Sequence, residues 1–120
     1  MKILVVDNSK TMRMIVRRGL RQAGFEAHEV IEAEGGPEAL ESAAAQLPDL
    51  VLCDWNMPGM NGLEVLKALR ARQSAVPFGF VTSEGTAEMQ ALATEAGAQF
   101  FICKPFTAEQ LQRELGRYLS

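Results

Sequence analysis

The sequence predicts one α/β domain over residues 1–120: a five-stranded parallel sheet with helices on both faces. Two observations carry this. Short apolar runs recur along the chain, and strands apolar on both faces belong in the middle of a parallel sheet. Each run is followed by a stretch of 3.6-residue periodicity, five times over at roughly 24 residues per unit. Such alternation implies right-handed crossovers, which lay helices against the sheet.

Ile3-Leu4-Val5-Val6 is the first run and ends at Asp7. Ser9 is placed to cap the helix that follows, whose inner face is Met12, Ile15, Val16, Leu20 and Ala23, with Gly24 closing it. The basic residues of this helix are assigned mostly to its other side. Residues 26–31, from Glu26 to Ile31, are more mixed and read as an edge strand. Pro37 suits the first turn of a second helix with Leu40, Ala43, Ala44 and Leu47 inward.

The second continuous apolar run, Leu50 to Cys53, ends at Asp54. A third helix starts near Asn61 and packs through Leu63, Leu66 and Leu69. Phe78 to Val81 leads to Thr82; Gly79 within it is a weak spot, with a cost of up to ~1 kcal/mol. Thr86 caps a fourth helix with Met89, Leu92, Ala93 and Ala96 inward and Gly97 at its end. Phe100 to Cys103 leads to Lys104, and Thr107 caps a fifth helix with Leu111, Leu115, Tyr118 and Leu119 inward.

Composition removes several classes. Hydrophobic residues at 48% and charged residues at 22% describe a globular chain, not a disordered or collagen-like one. No apolar run approaches the ~18 residues of a membrane span, and Asp7 interrupts the first run too early for a signal peptide. Cys53 and Cys103 make no metal-binding spacing and sit on strands expected to be two apart, ~10 Å, beyond disulfide reach. They are expected to be reduced core thiols in the cytoplasm. His28, the single histidine, is assigned to the surface of the edge strand, with no catalytic role.

The informative polar residues stand where strands end. Asp7 and Asn8, Asp54, Thr82 and Lys104 would converge at the carboxyl edge of the sheet, where open α/β folds bind ligands. Asp7, Asp54 and the Asn8 amide are hard oxygen donors, suited to Mg²⁺. With Lys104 as a point charge and Thr82 as a hydroxyl donor, this set suits phosphoryl acceptance onto an aspartate.

The stretches Val5-Val6-Asp7-Asn8-Ser9, Asp54-Trp55-Asn56-Met57-Pro58-Gly59-Met60-Asn61-Gly62, Val81-Thr82 and Lys104-Pro105-Phe106 together resemble response-regulator receiver domains. They resemble most the stand-alone chemotaxis regulators. Each motif alone is weak; their order and spacing over the whole chain are specific. The resemblance implies the flavodoxin-like strand order 2-1-3-4-5. It implies Asp54 as phosphoacceptor, Asp7, Asn8, Asp54 and the Asn56 carbonyl as the Mg²⁺ site, and Lys104 as the phosphoryl-oxygen ligand. Thr82 and Phe101 would be the switch pair, Asn56 and Glu84 would flank the phosphoryl group, and Lys104-Pro105 would be cis.

The function so implied is two-component signal transduction, with control of chemotaxis or motility as its setting. A histidine kinase or small phosphodonor would phosphorylate Asp54, and a downstream protein would read the surface of the fourth helix, fifth strand and fifth helix. The protein would be a switch that assists its own phosphorylation and dephosphorylation rather than an enzyme. It would be a monomer with no nucleic-acid or membrane partner. Five βα units account for all 120 residues, so no separate effector domain is expected.

Two departures matter. Asn8 stands where relatives carry a second acid, lowering the formal charge of residues 7, 8 and 54 from −3 to −2. That predicts weaker Mg²⁺ binding, and it favours the alternative of a phosphorylation-independent interaction module. Phe101 lacks the hydroxyl of a tyrosine common in chemotaxis relatives. A flavin-binding or phosphohydrolase role has no supporting motif, since Asp7-Asn8-Ser9 is neither a flavin-phosphate loop nor D-x-D. The charge is also uneven. Residues 10–24 carry Lys10, Arg13, Arg17, Arg18 and Arg21 and no acid, a local +5 that leaves −8 for the rest of the chain against the overall −3. This stripe is a solvated face or a dock for an acidic partner. No aromatic residues interleave it, which argues against nucleic acid.

Overall fold

The computed structural model describes residues 1–119. Five βα units run in order: β1 (Lys2–Val6), α1 (Lys10–Gln22), β2 (Glu29–Ala33), α2 (Gly36–Gln46), β3 (Leu50–Cys53), α3 (Gly62–Ala71), β4 (Phe78–Thr82), α4 (Ala87–Ala96), β5 (Phe100–Cys103) and α5 (Ala108–Leu115). All strand pairs are parallel and the order is β2-β1-β3-β4-β5. The chain therefore winds one way from β1 to β2 and the other way from β3 onward, leaving a crevice beyond the ends of β1 and β3. Among the described residues, no helix is long and apolar enough to cross a membrane.

Two cores lie on the two faces of the sheet. One joins α2, α3 and α4 to Leu4, Val6, Val51, Cys53, Phe78 and Phe80. The other joins α1 and α5 to Ile3, Val5, Leu50, Leu52, Phe100 and Ile102. Alternate residues of each central strand feed opposite cores, which is why those strands read as unbroken apolar runs.

Helix starts follow their caps. Ser9, Thr86 and Thr107 accept from the backbone N–H three residues on, and Asn61 with Glu64 and Thr107 with Gln110 form capping boxes. Pro37 lies in the first turn of α2. Gly97 closes α4 at φ 103°, a conformation that favours glycine. The Lys104-Pro105 peptide is cis.

Several expectations need correction. The edge strand begins at Glu29, not Glu26, because residues 25–28 turn back under α1, with Phe25 buried and the His28 N–H bonded to its carbonyl. His28 is half-buried rather than a surface residue. Ile15, Ala44 and Leu92 are exposed, and Leu47 more so, held outward as the left-handed cap of α2. Arg13, assigned with the other basic residues to the outer side, is instead buried on α1 with Val16 and Leu20. Cys53 is a buried free thiol as expected, but Cys103 is exposed, at the end of β5 next to Gly85 of the β4–α4 loop. Gly79 is not a defect: the ring of Phe100 fills its missing side chain.

Candidate functional site

Asp7 follows β1, Asp54 follows β3, Thr82 ends β4 and Lys104 follows β5. These four strands are contiguous in the sheet, so the four side chains gather at one edge. Main-chain bonds carry the ladder one step past the strands and fix their ends. The Asp7 N–H donates to the Ala33 carbonyl, that of Asp54 to Val6, and that of Lys104 to Thr82.

Lys104 bridges the acids. Its Nζ lies 3.0 Å from Asp7 Oδ2 and 3.8 Å from Asp54 Oδ2. Asp7 Oδ1 accepts from the Ser9 N–H at 2.9 Å, and Asp54 Oδ1 accepts from the Trp55 N–H at 2.8 Å. The side chains of Asp7, Asp54 and Lys104 are 5%, 12% and 13% exposed, so the charges interact through protein more than through water. Thr82 is fully buried.

Burial pushes the Asp54 carboxyl above its ordinary value. Lys104 opposes this, the Asp7 charge adds to it, and hydrogen bonds from Thr82 and the Trp55 N–H favour the carboxylate. Asp54 is thus an ionisable group held under electrostatic tension in a cleft.

Asn56 and Glu84, both exposed, join the loops that follow β3 and β4 through a 3.0 Å bond from Asn56 Nδ2 to Glu84 Oε1. Phe101 is half-buried in an aromatic cluster. Its ring centroid lies 5.9 Å from Phe80 and 6.3 Å from Trp55, and Trp55 lies 4.8 Å from Phe80. That cluster runs from the neighbour of Asp54 out to β5. Asn8 is exposed beside Asp7.

The donors suit a hard divalent cation: carboxylates at 7 and 54, an amide at 8 and the main chain at 56. Among the described residues no three His, Cys, Asp or Glu side chains group as metal ligands, and position 8 beside Asp7 carries an amide rather than an acid. The set fits Mg²⁺ with one charge fewer and with Lys104 resting on Asp7.

One participant escaped the sequence reading. Arg13, buried on α1, donates from Nη1 to the main-chain carbonyl of Asp7 at 2.6 Å and from Nε to Glu32 at 2.8 Å. Its spacing from Val16 and Leu20, at i, i+3 and i+7, was the available signal.

Residues 3–116 match the family model described as response regulator receiver domain. Among relatives, the chain is 44% identical over 118 residues to the chemotaxis protein CheY1 of Helicobacter pylori strain J99, covering 96% of this chain and 94% of that one. It is 41% identical over 119 residues to the chemotaxis protein CheY-3 of Vibrio cholerae serotype O1, covering 98% and 90%. Among solved structures, the Vibrio cholerae chemotaxis protein CheY4 crystallized at low pH superposes with TM-score 0.86 at 36% identity, covering 98% of each chain. A response regulator receiver domain protein from Clostridium thermocellum gives TM-score 0.86 at 26% identity, covering 98% of this chain and 93% of that one. The sheet order, the acid–lysine edge and a match that spans nearly every residue agree, and the chain belongs to the response-regulator receiver family, as a signalling switch of the CheY type.

Proposed function

We propose that the protein accepts a phosphoryl group on Asp54 from a histidine kinase or a small phosphodonor, and that this changes how it binds a downstream protein. The observation that carries the reading is Lys104 poised between Asp7 and Asp54, with Asp54 held above its ordinary carboxylate range. An Asp54 carboxylate oxygen attacks phosphorus, and the bond from phosphorus to the donor's nitrogen or acyl oxygen breaks. The leaving group takes the electron pair. Lys104 offsets charge on the phosphoryl oxygens, and the Trp55 N–H orients the carboxylate. Asp7, Asn8, Asp54 and the Asn56 carbonyl would hold Mg²⁺, whose charge offsets that of the phosphoryl group when bound.

The switch follows from local chemistry. Phosphorylation adds acceptors beside the Thr82 hydroxyl, so Thr82 turns toward them, and Phe101 repacks in the space it leaves. The surface of α4, β5 and α5 then changes its affinity for a target, by population shift between two arrangements. Asn56 and Glu84 control access of water to the phosphoryl group and so its lifetime. The whole 1–120 chain acts as one receiver unit, a cytoplasmic monomer serving chemotaxis or motility.

The test is acetyl phosphate with Mg²⁺, followed by intact mass and by the fluorescence of Trp55, the single tryptophan. A one-phosphoryl gain that Asp54→Asn abolishes supports the reading. No gain, together with no fluorescence response to Mg²⁺ and beryllofluoride, leaves instead a phosphorylation-independent interaction module, the role Asn8 would favour.

A further inference from the structure

The basic cluster on α1 divides in two. Arg18 and Arg21 are exposed and the Arg17 side chain is 40% exposed, whereas that of Arg13 is 7% exposed. Burying a guanidinium is costly unless its donors are paired, and an apolar side chain could fill the same space without that cost. Two corners of the Arg13 fork are hydrogen-bonded and the third faces a carboxylate at longer range. Nε donates to Glu32 Oε1 at 2.8 Å, Nη1 donates to the Asp7 carbonyl at 2.6 Å, and Nη2 lies 3.8 Å from Glu34 Oε1.

The bond to Asp7 is the informative one. Asp7 lies one residue beyond β1, where the ladder ends, and among the described residues its carbonyl receives no main-chain donor. Arg13 supplies that donor from behind, while Lys104 and the Ser9 N–H hold the carboxylate from the front. Glu32 is in turn held by Arg17 at 2.9 Å. Burial alone would raise the Glu32 carboxyl, but hydrogen bonds from Arg13 and Arg17 outweigh it and keep the group below its ordinary value, so the clamp stays charged at neutral pH.

We propose that Arg13 is a positioning residue of the phosphoryl site: clamped by Glu32, it fixes the main chain at Asp7 and thereby sets where the Asp7 carboxylate meets a bound Mg²⁺. This rests on the phosphoacceptor reading above. Groups that orient a metal-binding residue from behind commonly govern its affinity tenfold or more.

The sign of the effect separates positioning from simple charge. Arg13 is a cation near a cation site, so deleting its charge alone strengthens Mg²⁺ binding. Loss of positioning weakens it. A role confined to stability lowers the melting temperature and leaves the affinity unchanged.

The experiment titrates Mg²⁺ against Trp55 fluorescence in wild type and Arg13→Met, with circular dichroism to verify folding and acetyl phosphate kinetics alongside. The expected result is a Kd for Mg²⁺ raised about tenfold, with the Mg²⁺ requirement for phosphorylation raised to match. An equal or lower Kd in folded Arg13→Met overturns the proposal while leaving the phosphoacceptor reading intact. A wild type blind to Mg²⁺ overturns the proposal, and one that also gains no phosphoryl group from acetyl phosphate overturns both. Should Arg13→Met not fold, Arg13→Lys keeps the charge and the aliphatic stem but not the fork. Weakened binding there supports positioning, and unchanged affinity overturns it.

Discussion

The ring of Phe100 lies over the backbone of its cross-strand partner Gly79, in the space that a side chain at position 79 would need. Phe100 is buried and packs in turn on Tyr118, ring centroids 5.8 Å apart. The two strands exchange bulk: β4 gives up a side chain and β5 supplies an oversized one to the core beneath α1 and α5. Gly79→Ala therefore overpacks the site and costs about 1–3 kcal/mol. Phe100→Ala leaves a cavity and costs about 3–5 kcal/mol. The double variant is the decisive measurement. With the ring gone, the methyl group introduced at position 79 has room, so the two costs should couple by about 0.5–3 kcal/mol in urea denaturation. Strict additivity would show that the ring and the glycine do not share the space.

Asp54 makes stability depend on pH in an unusual direction for an aspartate. Its folded carboxyl lies above the ordinary value, chiefly through burial. The folded state therefore holds its proton more tightly than the unfolded chain does. Its contribution to stability is fully present below the unfolded value of about 3.9 and is lost as pH rises through the folded value. At pH 7 the ionised group works against the fold. Asp54→Asn should thus be more stable than wild type at pH 7, on the order of 0.5–2 kcal/mol, and the gap should close as pH falls toward about 4. A gap that is absent at pH 7, or that widens in acid, contradicts the assignment of strain to this carboxyl.

The fold was legible because each element signals itself locally. Four apolar runs mark the central strands β1, β3 and β4 and the edge strand β5, and Ser9, Asn61, Thr86 and Thr107 mark helix starts whose side chains do cap them. The site was legible because its polar residues follow those runs immediately, and topology alone then brings them together. What local pattern could not supply was the identity of the neighbour. Ile15 reads as inward for being apolar, and Arg13 as outward for being charged, although Arg13 shares a face with Val16 and Leu20. The carboxylate of Glu32, on a strand nineteen positions away, compensates the burial of Arg13. Cys103 reads as core from its sequence neighbours, yet it is the exposed last residue of the edge strand β5. Gly79 reads as a weakness until the register with Phe100 is known.

Lys104 is the only cation in direct contact with both carboxylates among the described residues. Lys104→Met leaves Asp7 and Asp54 facing each other without it, in a site about one-tenth exposed. Removing one partner of a largely buried pair costs about 3–5 kcal/mol when water is excluded; this cleft opens to solvent, so about 1–3 kcal/mol is expected at pH 7. The cost should shrink in acid as Asp54, raised above its ordinary value, takes up its proton, and it should shrink on adding Mg²⁺, which replaces the missing charge. Thermal melts at pH 7 and pH 4, with and without Mg²⁺, test both. A destabilisation indifferent to pH and to Mg²⁺ would place the role of Lys104 in packing rather than in charge balance.

Position 8 decides how much negative charge the cleft presents to a cation. Asn8 is exposed beside Asp7 and adds an amide oxygen where an acid would add a full charge. A divalent cation gains from each carboxylate it meets, so Asn8→Asp should tighten Mg²⁺ binding, by about tenfold or ~1.4 kcal/mol. The same change has an opposite effect on the metal-free protein, since a third acid beside Asp7 and Asp54 adds repulsion that Lys104 alone must offset. The variant should therefore melt lower than wild type without Mg²⁺ and regain more stability when Mg²⁺ is added. Trp55 fluorescence gives the affinity and thermal melts give the stability. If Asn8→Asp binds Mg²⁺ no more tightly than wild type, residue 8 lies outside the ion's coordination, and the shortfall of one acid has no bearing on how the site is charged.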